Sequence, residues 1–403
     1  MTHHLTTRAV RIGQFPDMSD AYCEPIGMTS AYVFASAADA ASKFSGAKKG
    51  NVYSRFSNPT VRSFEKRIAS MQGAEDGVAF SSGMAAIVGI AHAWLSAGKN
   101  LVVSRDVFGT TLTAFCNYFR KLGADVRVVN LTCLNEWRAA INENTAFVFL
   151  ESPSNSLQNV GDIAAIAQIA HALGALVVVD NTLLTPIHQN PLEHGADLVV
   201  HSAGKYIDGQ GRCVAGVVVG SECLMHELRG VLRALGSTLG AMDAWLLHKS
   251  LELLELRVNA ISQKTLQLAH WIRTQPEVGR VFYTGLNDHD QHALICRQQT
   301  GYGGVLSFEV GCSRESAWAM IDSLQLISIA TNIGDTRSMI THPASTTHGK
   351  LSPDERLFVG ITDRLVRLSV GLENEADLMS DIHLGLTSIS SMHAEREGES
   401  VAT

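Results

Sequence analysis

The segment LVVHSAGKYIDGQG (residues 198–211) joins an apolar run to a turn of small residues that carries one lysine, Lys205. Removal from water at the end of a buried strand lowers the pKa of a lysine and costs stability. A lysine at such a position is more often paired, or it extends its amine to the surface. On this segment alone, Lys205 is therefore a candidate functional amine whose partner must be sought elsewhere in the chain.

Short runs of β-branched residues recur on both sides of this segment and predict buried strands. They lie at residues 77–80, 100–104, 125–130, 146–151, 175–180, 197–201 and 214–220. Segments rich in alanine and leucine lie between several of them, as at residues 84–97 and 163–173. This alternation predicts an α/β fold with a mostly parallel, doubly wound sheet. Ligands of such folds bind beyond the carboxyl ends of the strands, where Lys205 would lie.

The composition favours a globular protein that acts on small molecules. The 403 residues are 46% hydrophobic, and the formal charge of -7 includes no block of like charges. The sequence thus offers no basic footprint for nucleic acid or an anionic membrane. The seven cysteines are scattered without a CxxC pair, which indicates reduced thiols and no metal site. With no secretory signal and no apolar run of about 18 residues, we expect a cytoplasmic protein.

We expect three parts along the chain. Residues 1–60 lack strong periodicity and predict an extended N-terminal arm that contacts a neighbouring subunit. Residues 61–250 would hold the parallel sheet, and residues 251–403 a smaller C-terminal α/β domain. Apolar residues at helical spacing predict one long connecting helix over residues 241–272. Further strand signals lie at residues 303–310 and 364–371.

Two features besides Lys205 suggest chemistry at the edge of the sheet. Asp180 follows an apolar run, so its carboxylate would project from a strand end; a helix cap or a metal ligand are the alternatives. Ser81, Ser82 and Gly83 stand between a short strand and a helix of small residues. The free N–H groups of a helix start favour an anion, although a serine N-cap is the ordinary alternative.

An amine for an imine, a carboxylate for a ring nitrogen and an anion site for a phosphate together match pyridoxal 5′-phosphate (PLP). Each feature is weak alone, and the conjunction is what predicts the cofactor. A nicotinamide cofactor is the alternative on a similar sheet. The glycines of GQGRCVAG (209–216), however, precede a strand where the dinucleotide fingerprint would open a helix.

The chain resembles the transsulfuration enzymes of cysteine and methionine metabolism from about residue 51 to residue 377. The motifs that carry the resemblance are YSRFSNPT (53–60), SSGMAA (81–86), RDVFGTT (105–111), ESPSN (151–155), VVDNT (178–182), HSAGKYIDGQGR (201–212), NIGD (332–335), HPASTTH (342–348) and RLSVGLE (367–373). The resemblance implies a PLP-dependent transferase of fold type I, with residues 61–250 as the PLP-binding domain. It also implies a homotetramer built from dimers that share their sites.

The resemblance implies a role for each matching residue near the cofactor. Lys205 would form the imine with PLP and carry protons, and Asp180 would be the partner of the ring nitrogen. Gly83 and Met84 would donate backbone N–H groups to the phosphate. Ser202 would add a hydroxyl to the same phosphate.

Further roles follow from the same resemblance. Tyr53 and Arg55 would reach the phosphate from a neighbouring subunit, and Tyr53 would share the proton chemistry. Asn155 would lie near the phenolate oxygen of the cofactor. Arg367 would bind the substrate α-carboxylate through two hydrogen bonds, helped by Asn332.

Three departures from the family pattern carry expectations of their own. Gly204 stands where the family usually has threonine, so a hydroxyl to the phosphate is missing and cofactor affinity should fall. Phe108 stands where many relatives have a tyrosine; it can stack on the ring but cannot move a proton. In this position the chain resembles the sulfhydrylase branch of the family, which disfavours a β- or γ-lyase. Ser156 replaces a common proline, and we expect only a local backbone effect.

We expect a γ-replacement enzyme of methionine biosynthesis. It would join O-succinylhomoserine and sulfide to give homocysteine and succinate. Use of cysteine in place of sulfide, or of the O-acetyl ester in place of the succinyl ester, are the alternatives within this chemistry. An inactive homologue or binding scaffold is the remote alternative.

Overall fold

The computed structural model describes residues 3–14 and 21–401, with side chains described through residue 389. A first sheet contains β1 (Asp76–Phe80), β2 (Asn100–Ser104), β3 (Asp125–Val129), β4 (Thr145–Glu151), β5 (Leu176–Asp180), β6 (Leu198–Ser202) and β7 (Gly216–Gly220). Its order is β1-β7-β6-β5-β4-β2-β3. Strands β2 to β6 pair in parallel, and β7 is antiparallel to both of its neighbours. The predicted mostly parallel α/β sheet is confirmed.

A second sheet follows in the C-terminal part of the chain. It contains β8 (Val278–Phe282), β9 (Val305–Val310), β10 (Ser328–Ile329), β11 (Met339–Thr341) and β12 (Leu365–Ser369). Its order is β10-β11-β12-β9-β8, and only β10 and β11 pair in parallel. The strand signals at residues 303–310 and 364–371 thus correspond to β9 and β12. The predicted three-part division of the chain itself stays a prediction.

The helices surround these sheets. They are α1 (Leu5–Arg11), α2 (Ala37–Phe44), α3 (Pro59–Gln72), α4 (Gly83–Trp94), α5 (Gly109–Thr113), α6 (Leu134–Ala140), α7 (Ile163–His171), α8 (Thr185–His188), α9 (Glu222–Leu235), α10 (Ala241–Leu251), α11 (Leu254–Ile272), α12 (His292–Gln298), α13 (Arg314–Asp322), α14 (Pro353–Phe358) and α15 (Glu375–Val401). Within residues 3–14 and 21–401, none of them combines the length and the apolar composition needed to cross a bilayer.

Both faces of the first sheet are buried, which explains its uninterrupted apolar strands. In β5, Val177 and Val179 belong to one hydrophobic core, and Val178 belongs to the core on the opposite face. Helices α3, α7 and α10 contribute to the first core, and α4 and α9 to the second. Because helices cover both faces, the open edge at the carboxyl ends of the parallel strands is left for a ligand.

The single long helix predicted over residues 241–272 is wrong, because the chain breaks it into α10 and α11. Leu253 leaves the helical conformation, with φ of -110° and ψ of 5°. The buried guanidinium of Arg257 donates to the carbonyl oxygens of Tyr206, at 2.8 Å, and of Ser250, at 3.3 Å. These contacts hold the start of α11 against the end of α10 and the turn that carries Tyr206. No glycine or proline marks the break in the sequence.

The N-terminal segment is partly helical and is held by a buried arginine. Arg67, on α3, is fully buried and donates from Nε to the carbonyl oxygen of Ile12 at 2.6 Å. Its Nη1 donates to the carbonyl oxygen of His248 at 2.8 Å and to Glu252 Oε1 at 3.1 Å. Its Nη2 lies 3.6 Å from Oε1 of Glu24. We call this group of residues the Arg67 cluster; it consists of Arg67, Ile12, Glu24, His248 and Glu252. It fastens the beginning of the chain to α3 and α10.

Candidate active site

A cavity of about 240 Å³ lies beyond the carboxyl ends of β4, β5 and β6. The predicted site residues that line it are Gly83, Met84, Phe108, Asn155, Asp180, Ser202, Lys205 and Arg367. An adjoining cavity of about 510 Å³ shares Ser202 and Lys205 and adds Asn332. The structure therefore brings together nine of the predicted residues at one edge of the sheet.

Lys205 reaches this cavity from the turn that follows β6. Its backbone N–H donates to the carbonyl oxygen of Ser202 at 3.1 Å, and its Nζ donates to Oδ1 of Asn332. Burial lowers the pKa of the Lys205 amine, and the nearby positive charge of Arg367 lowers it further. An amine with a lowered pKa is more readily available as a base or nucleophile at neutral pH.

Asp180 ends β5 and is 8% exposed. It accepts hydrogen bonds from the backbone N–H of Thr182 at 3.0 Å and from its hydroxyl at 2.6 Å. Burial raises the pKa of Asp180, although these two bonds lower it. A buried carboxylate held only by neutral donors is matched to a cationic ligand group, such as a protonated ring nitrogen.

The opposite end of the cavity is built for an anion. Ser82 is the N-cap of α4 and accepts the Ala85 N–H at 3.0 Å, so the serine N-cap is also present. Gly83 and Met84 open the helix, where backbone N–H groups lack intrahelical acceptors. A Cβ atom on Gly83 would lie 2.9 Å from Cβ of Ser202. The glycine therefore allows the helix start and the Ser202 hydroxyl to face the same small volume.

Arg367 lies in the middle of β12 and is 3% exposed. It donates to Oδ1 of Asn155 at 3.1 Å and to the carbonyl oxygens of Thr331, at 2.6 Å, and Asn332, at 3.4 Å. Its Nε has no hydrogen-bond partner among the described residues. Burial lowers the pKa of Arg367 to about 10. A buried guanidinium held by neutral oxygens, with a donor to spare, suits a ligand carboxylate.

Gly204 has a steric role that the sequence did not reveal. A Cβ atom at this position would lie 2.5 Å from the carbonyl oxygen of Cys213 and 3.4 Å from Cα of Val214. Both contacts are with backbone, which cannot swing aside as a flexible side chain can. A threonine would therefore not fit here without a shift of the 213–215 segment. The expected loss of cofactor affinity at Gly204 stays a prediction.

Phe108 and Asn155 flank the cavity with groups of different chemistry. The Phe108 ring is half exposed at the start of α5, and the Phe108 N–H donates to Oε2 of Glu151 at 2.8 Å. Asn155 uses its Oδ1 to accept from Arg367, which leaves Nδ2 as the donor end of its amide. The Asn155–Ser156 peptide bond is cis. The cavity thus offers one aromatic face and one amide donor.

Tyr53 and Arg55 do not line either cavity of their own chain. The Tyr53 side chain is exposed, and the Arg55 guanidinium lies 4.8 Å from the ring centre of Phe56 and donates to the carbonyl oxygen of Arg233. The segment that follows Arg233 lies next to the helix start that is suited to an anion, because the Ser81 N–H donates to the carbonyl oxygen of Ser237 at 2.9 Å. That Tyr53 and Arg55 contribute to the phosphate site of a neighbouring subunit stays a prediction.

Sequence reasoning missed two residues that shape the site. Glu151 ends β4 directly opposite Asp180 on β5 and lines the cavity. The hydroxyl of Thr182 donates to Asp180 and accepts the Ser202 N–H at 2.8 Å, so it ties β5 to β6. The run AFVFLE ends in a carboxylate in the same way as VVVD, and this parallel would have identified Glu151.

The residues present fit PLP. The cavity combines a partly desolvated amine, a buried carboxylate without a cation, a helix start with a serine hydroxyl, and an aromatic face. These groups match, in turn, the aldehyde, the ring nitrogen, the phosphate and the ring of the cofactor. Arg367 is not needed to bind any of these cofactor groups, so its guanidinium remains available for the carboxylate of a substrate.

Comparisons with known proteins agree with this geometry. The family model described as "Cys/Met metabolism PLP-dependent enzyme" matches residues 6–387. An O-succinylhomoserine sulfhydrylase of Pseudomonas aeruginosa is 50% identical over 383 residues, which cover 95% of each chain. An L-methionine gamma-lyase of Fusobacterium nucleatum is 36% identical and covers 96% of this chain and 98% of its own. The crystal structure of a cystathionine gamma synthase from Xanthomonas oryzae pv. oryzae, in complex with aminoacrylate and cysteine, superposes with a TM-score of 0.92 at 34% identity, over 97% of this chain and 100% of the other.

Proposed function

Because the chain belongs to the Cys/Met metabolism PLP-dependent enzyme family, we propose that it catalyses γ-replacement on O-succinylhomoserine. Sulfide is the incoming nucleophile, and homocysteine and succinate are the products. The proposal places the chain in methionine biosynthesis. Its cofactor is pyridoxal 5′-phosphate, as in the family.

One observation carries this proposal: Lys205, Asp180 and Arg367 converge on one cavity from three different strands or turns. This set provides a base, a counter-ion for the cofactor ring and a clamp for an amino-acid carboxylate. The choice of succinyl donor and sulfide rests on the 50% identity to a protein named O-succinylhomoserine sulfhydrylase.

When bound, PLP supplies an aldehyde that condenses with amines and a ring that takes up negative charge. Asp180 would hold a proton on the ring nitrogen, because a cation beside it relieves the cost of its buried charge. The backbone N–H groups of Gly83 and Met84, with the Ser202 hydroxyl, would bind the phosphate. Asn155 would donate from Nδ2 to the phenolate oxygen.

Lys205 would move the protons of the reaction. Its Nζ would take one proton from Cα of the substrate and return one later, for which a lowered pKa is required. Arg367 would hold the α-carboxylate through paired N–H donors, and Asn332, which accepts from Lys205, would hold the amine in place. Phe108 would cover the ring and exclude water without taking a proton.

Cystathionine γ-synthesis is the second candidate, with cysteine in place of sulfide. The structural similarity to a cystathionine gamma synthase, with a TM-score of 0.92, favours it. The two reactions share every step up to the departure of the acyl group, so the same catalytic residues serve both.

The test is a paired assay of donor and nucleophile with the purified holoenzyme. O-Succinylhomoserine and O-acetylhomoserine are each combined with sulfide and with cysteine, and the products are separated by mass spectrometry. We expect homocysteine from the succinyl ester and sulfide. Cystathionine as the main product supports the second candidate, and homocysteine from the acetyl ester alone contradicts the proposed donor. A colourless protein that forms no product with any pair would favour the scaffold alternative.

We also propose that Tyr53 and Arg55 complete the phosphate site of a neighbouring subunit, in a cytoplasmic homotetramer of site-sharing dimers. Their position outside the cavities of their own chain supports this proposal. Mixing inactive Y53A and K205A subunits tests it, because a hybrid dimer would regain one site with both residues intact. Recovery of activity on mixing is expected. An active monomer in light scattering would contradict site sharing.

A further inference from the structure

Glu151 is a buried acid to which the chemistry described above assigns no role. It ends β4, is 4% exposed and pairs in register with Asp180 of β5. It also lines the cavity with Lys205 and Arg367. Burial and the negative charge of Asp180 raise the pKa of Glu151 well above its usual range. An acid in so unfavourable a place calls for a compensating contact.

That contact is a hydrogen bond from the backbone of Phe108, and the positive charge of Arg367 acts on Glu151 in the same direction. Phe108 is the N-cap of α5, and its side chain, which has no polar atom, makes no capping hydrogen bond. The first N–H groups of a helix need acceptors from outside the helix. Glu151 Oε2 accepts the Phe108 N–H at 2.8 Å, so a residue of another strand fixes the backbone just before the helix.

We propose that Glu151 is a positioning residue that acts through Phe108. Its carboxyl group fixes the backbone from which the Phe108 ring faces the cavity, and so holds the ring against the cofactor. The inference deepens the proposed function and rests on it for the identity of the cofactor. A single acceptor oxygen performs this task, so an amide at position 151 serves as well as an acid.

The experiment is a double-mutant cycle read out by cofactor binding and by the visible circular dichroism of the holoenzyme. The variants are E151Q, E151L, F108L and the double variant E151L/F108L. The matched control is E75L, because Glu75 Oε2 accepts the backbone N–H of Glu222 at 2.8 Å outside the site. The PLP dissociation constant is measured by titration of each cofactor-free protein.

We expect E151L to raise the PLP dissociation constant by about tenfold, the effect of leaving one buried donor unsatisfied. It should also weaken the visible dichroism, while E151Q and E75L stay close to the unchanged protein. In the F108L background, E151L should add little, because the group through which it acts is gone.

Two results would overturn the inference. Effects of E151L and F108L that simply add would mean that Glu151 acts independently of Phe108. An E151Q variant as impaired as E151L would mean that the charge or proton of the acid matters, and its acceptor oxygen does not. Both readouts use PLP alone, so they remain informative if the paired assay assigns a different donor or nucleophile.

Discussion

Two buried arginines show opposite ways of using a guanidinium. Arg67 is 0% exposed, and all three of its nitrogens have partners, among them Glu24 and Glu252. Arg367 is 3% exposed, donates only to neutral oxygens and keeps Nε without a partner among the described residues. The hydrogen-bonding groups of Arg67 are thus satisfied within the chain, whereas Arg367 keeps a donor available for an anion.

The difference teaches that burial alone does not distinguish a structural charge from a functional one. Burial lowers the pKa of both arginines. At Arg67, the hydrogen bonds and charges of Glu252 and Glu24 act against this effect. At Arg367, only the charges of Tyr206 and Glu151 do so, without a hydrogen bond to either. A fully paired guanidinium binds the chain to itself. A desolvated guanidinium with donors left over gains most of its stabilisation from a ligand.

The largest expected effect is the loss of catalysis on removal of the Arg367 guanidinium. We predict that R367A lowers kcat/KM by about a thousandfold, because truncating one partner of a buried charge pair costs roughly 2–5 kcal/mol. R367K should recover only part of the rate, since an ammonium cannot make two parallel bonds. Steady-state kinetics measure both. R364M is the control, because Arg364 is partly exposed just before β12 and pairs with Glu309. A wild-type rate in R367A would contradict the functional role assigned to Arg367.

The next effect is on stability and belongs to Arg67. We predict that R67M lowers the free energy of unfolding by about 3 kcal/mol, because Glu24 and Glu252 lose a buried counter-ion. Urea unfolding followed by fluorescence measures this value. R273M is the control, since Arg273 and its partner Asp288 are both exposed, where an ion pair contributes about 1 kcal/mol or less. Equal losses in the two variants would contradict the structural role of the Arg67 cluster.

A smaller effect is expected for the stability of the R367M variant. Methionine removes a buried charge that makes no ion pair among the described residues and that the charge of Glu151 favours only from farther away. The cofactor-free protein should therefore change by less than about 1 kcal/mol or gain stability. The measurement is the same urea unfolding, beside R67M. A loss as large as that of R67M would show that Arg367 also holds the fold together.

The last prediction concerns the part of the pH dependence of stability that belongs to the Arg67 cluster. Burial lowers the pKa of His248 to about 4, and the charge of Arg67 acts in the same direction. Burial raises the pKa of Glu24, but its hydrogen bonds and the charge of Lys249 outweigh this and lower it to about 2. Both groups take up protons more readily when the chain unfolds.

The folded protein should therefore lose stability as pH falls, first from about 6.5 to about 4 through His248 and then from about 4.5 to about 2 through Glu24. Unfolding measured at a series of pH values should show a flatter acid limb in H248Q and in E24Q, each in its own range. H171Q, at an exposed site, is the control. If the decrease in stability between about pH 6.5 and pH 4 is the same in H248Q as in the unchanged protein, His248 does not contribute to it.

Much of the fold could be predicted because local sequence determines it. The apolar runs that end in Asp180 and precede Lys205 form strands, since burial on both faces demands such runs. Nine of the residues that the family resemblance supplied line the two cavities at this edge of the sheet, whereas Tyr53 and Arg55 do not. Arg367 needed the resemblance, because an arginine in a strand is more often at a solvated edge.

The rest depended on contacts between residues far apart in the chain. Just after the break between α10 and α11, Arg257 contacts carbonyl oxygens some fifty residues earlier in the chain. Glu151 gains its role from its register with Asp180 and from the Phe108 N–H. The end of the AFVFLE run could have identified Glu151 as a candidate, but its partner at Phe108 and the partners of Arg257 have no local sequence signature, so they are evident only in the folded chain.

The close approach of Cys213 to Gly204 has a consequence for protein engineering. A threonine at position 204, which would add a hydroxyl near the cofactor phosphate, would be an obvious attempt to tighten cofactor binding. With only 2.5 Å between its Cβ and a main-chain oxygen, the threonine would first push the 213–215 segment outward. Such a substitution would therefore need a compensating change in residues 213–215, because the main chain there already fills the space that a side chain at position 204 would take.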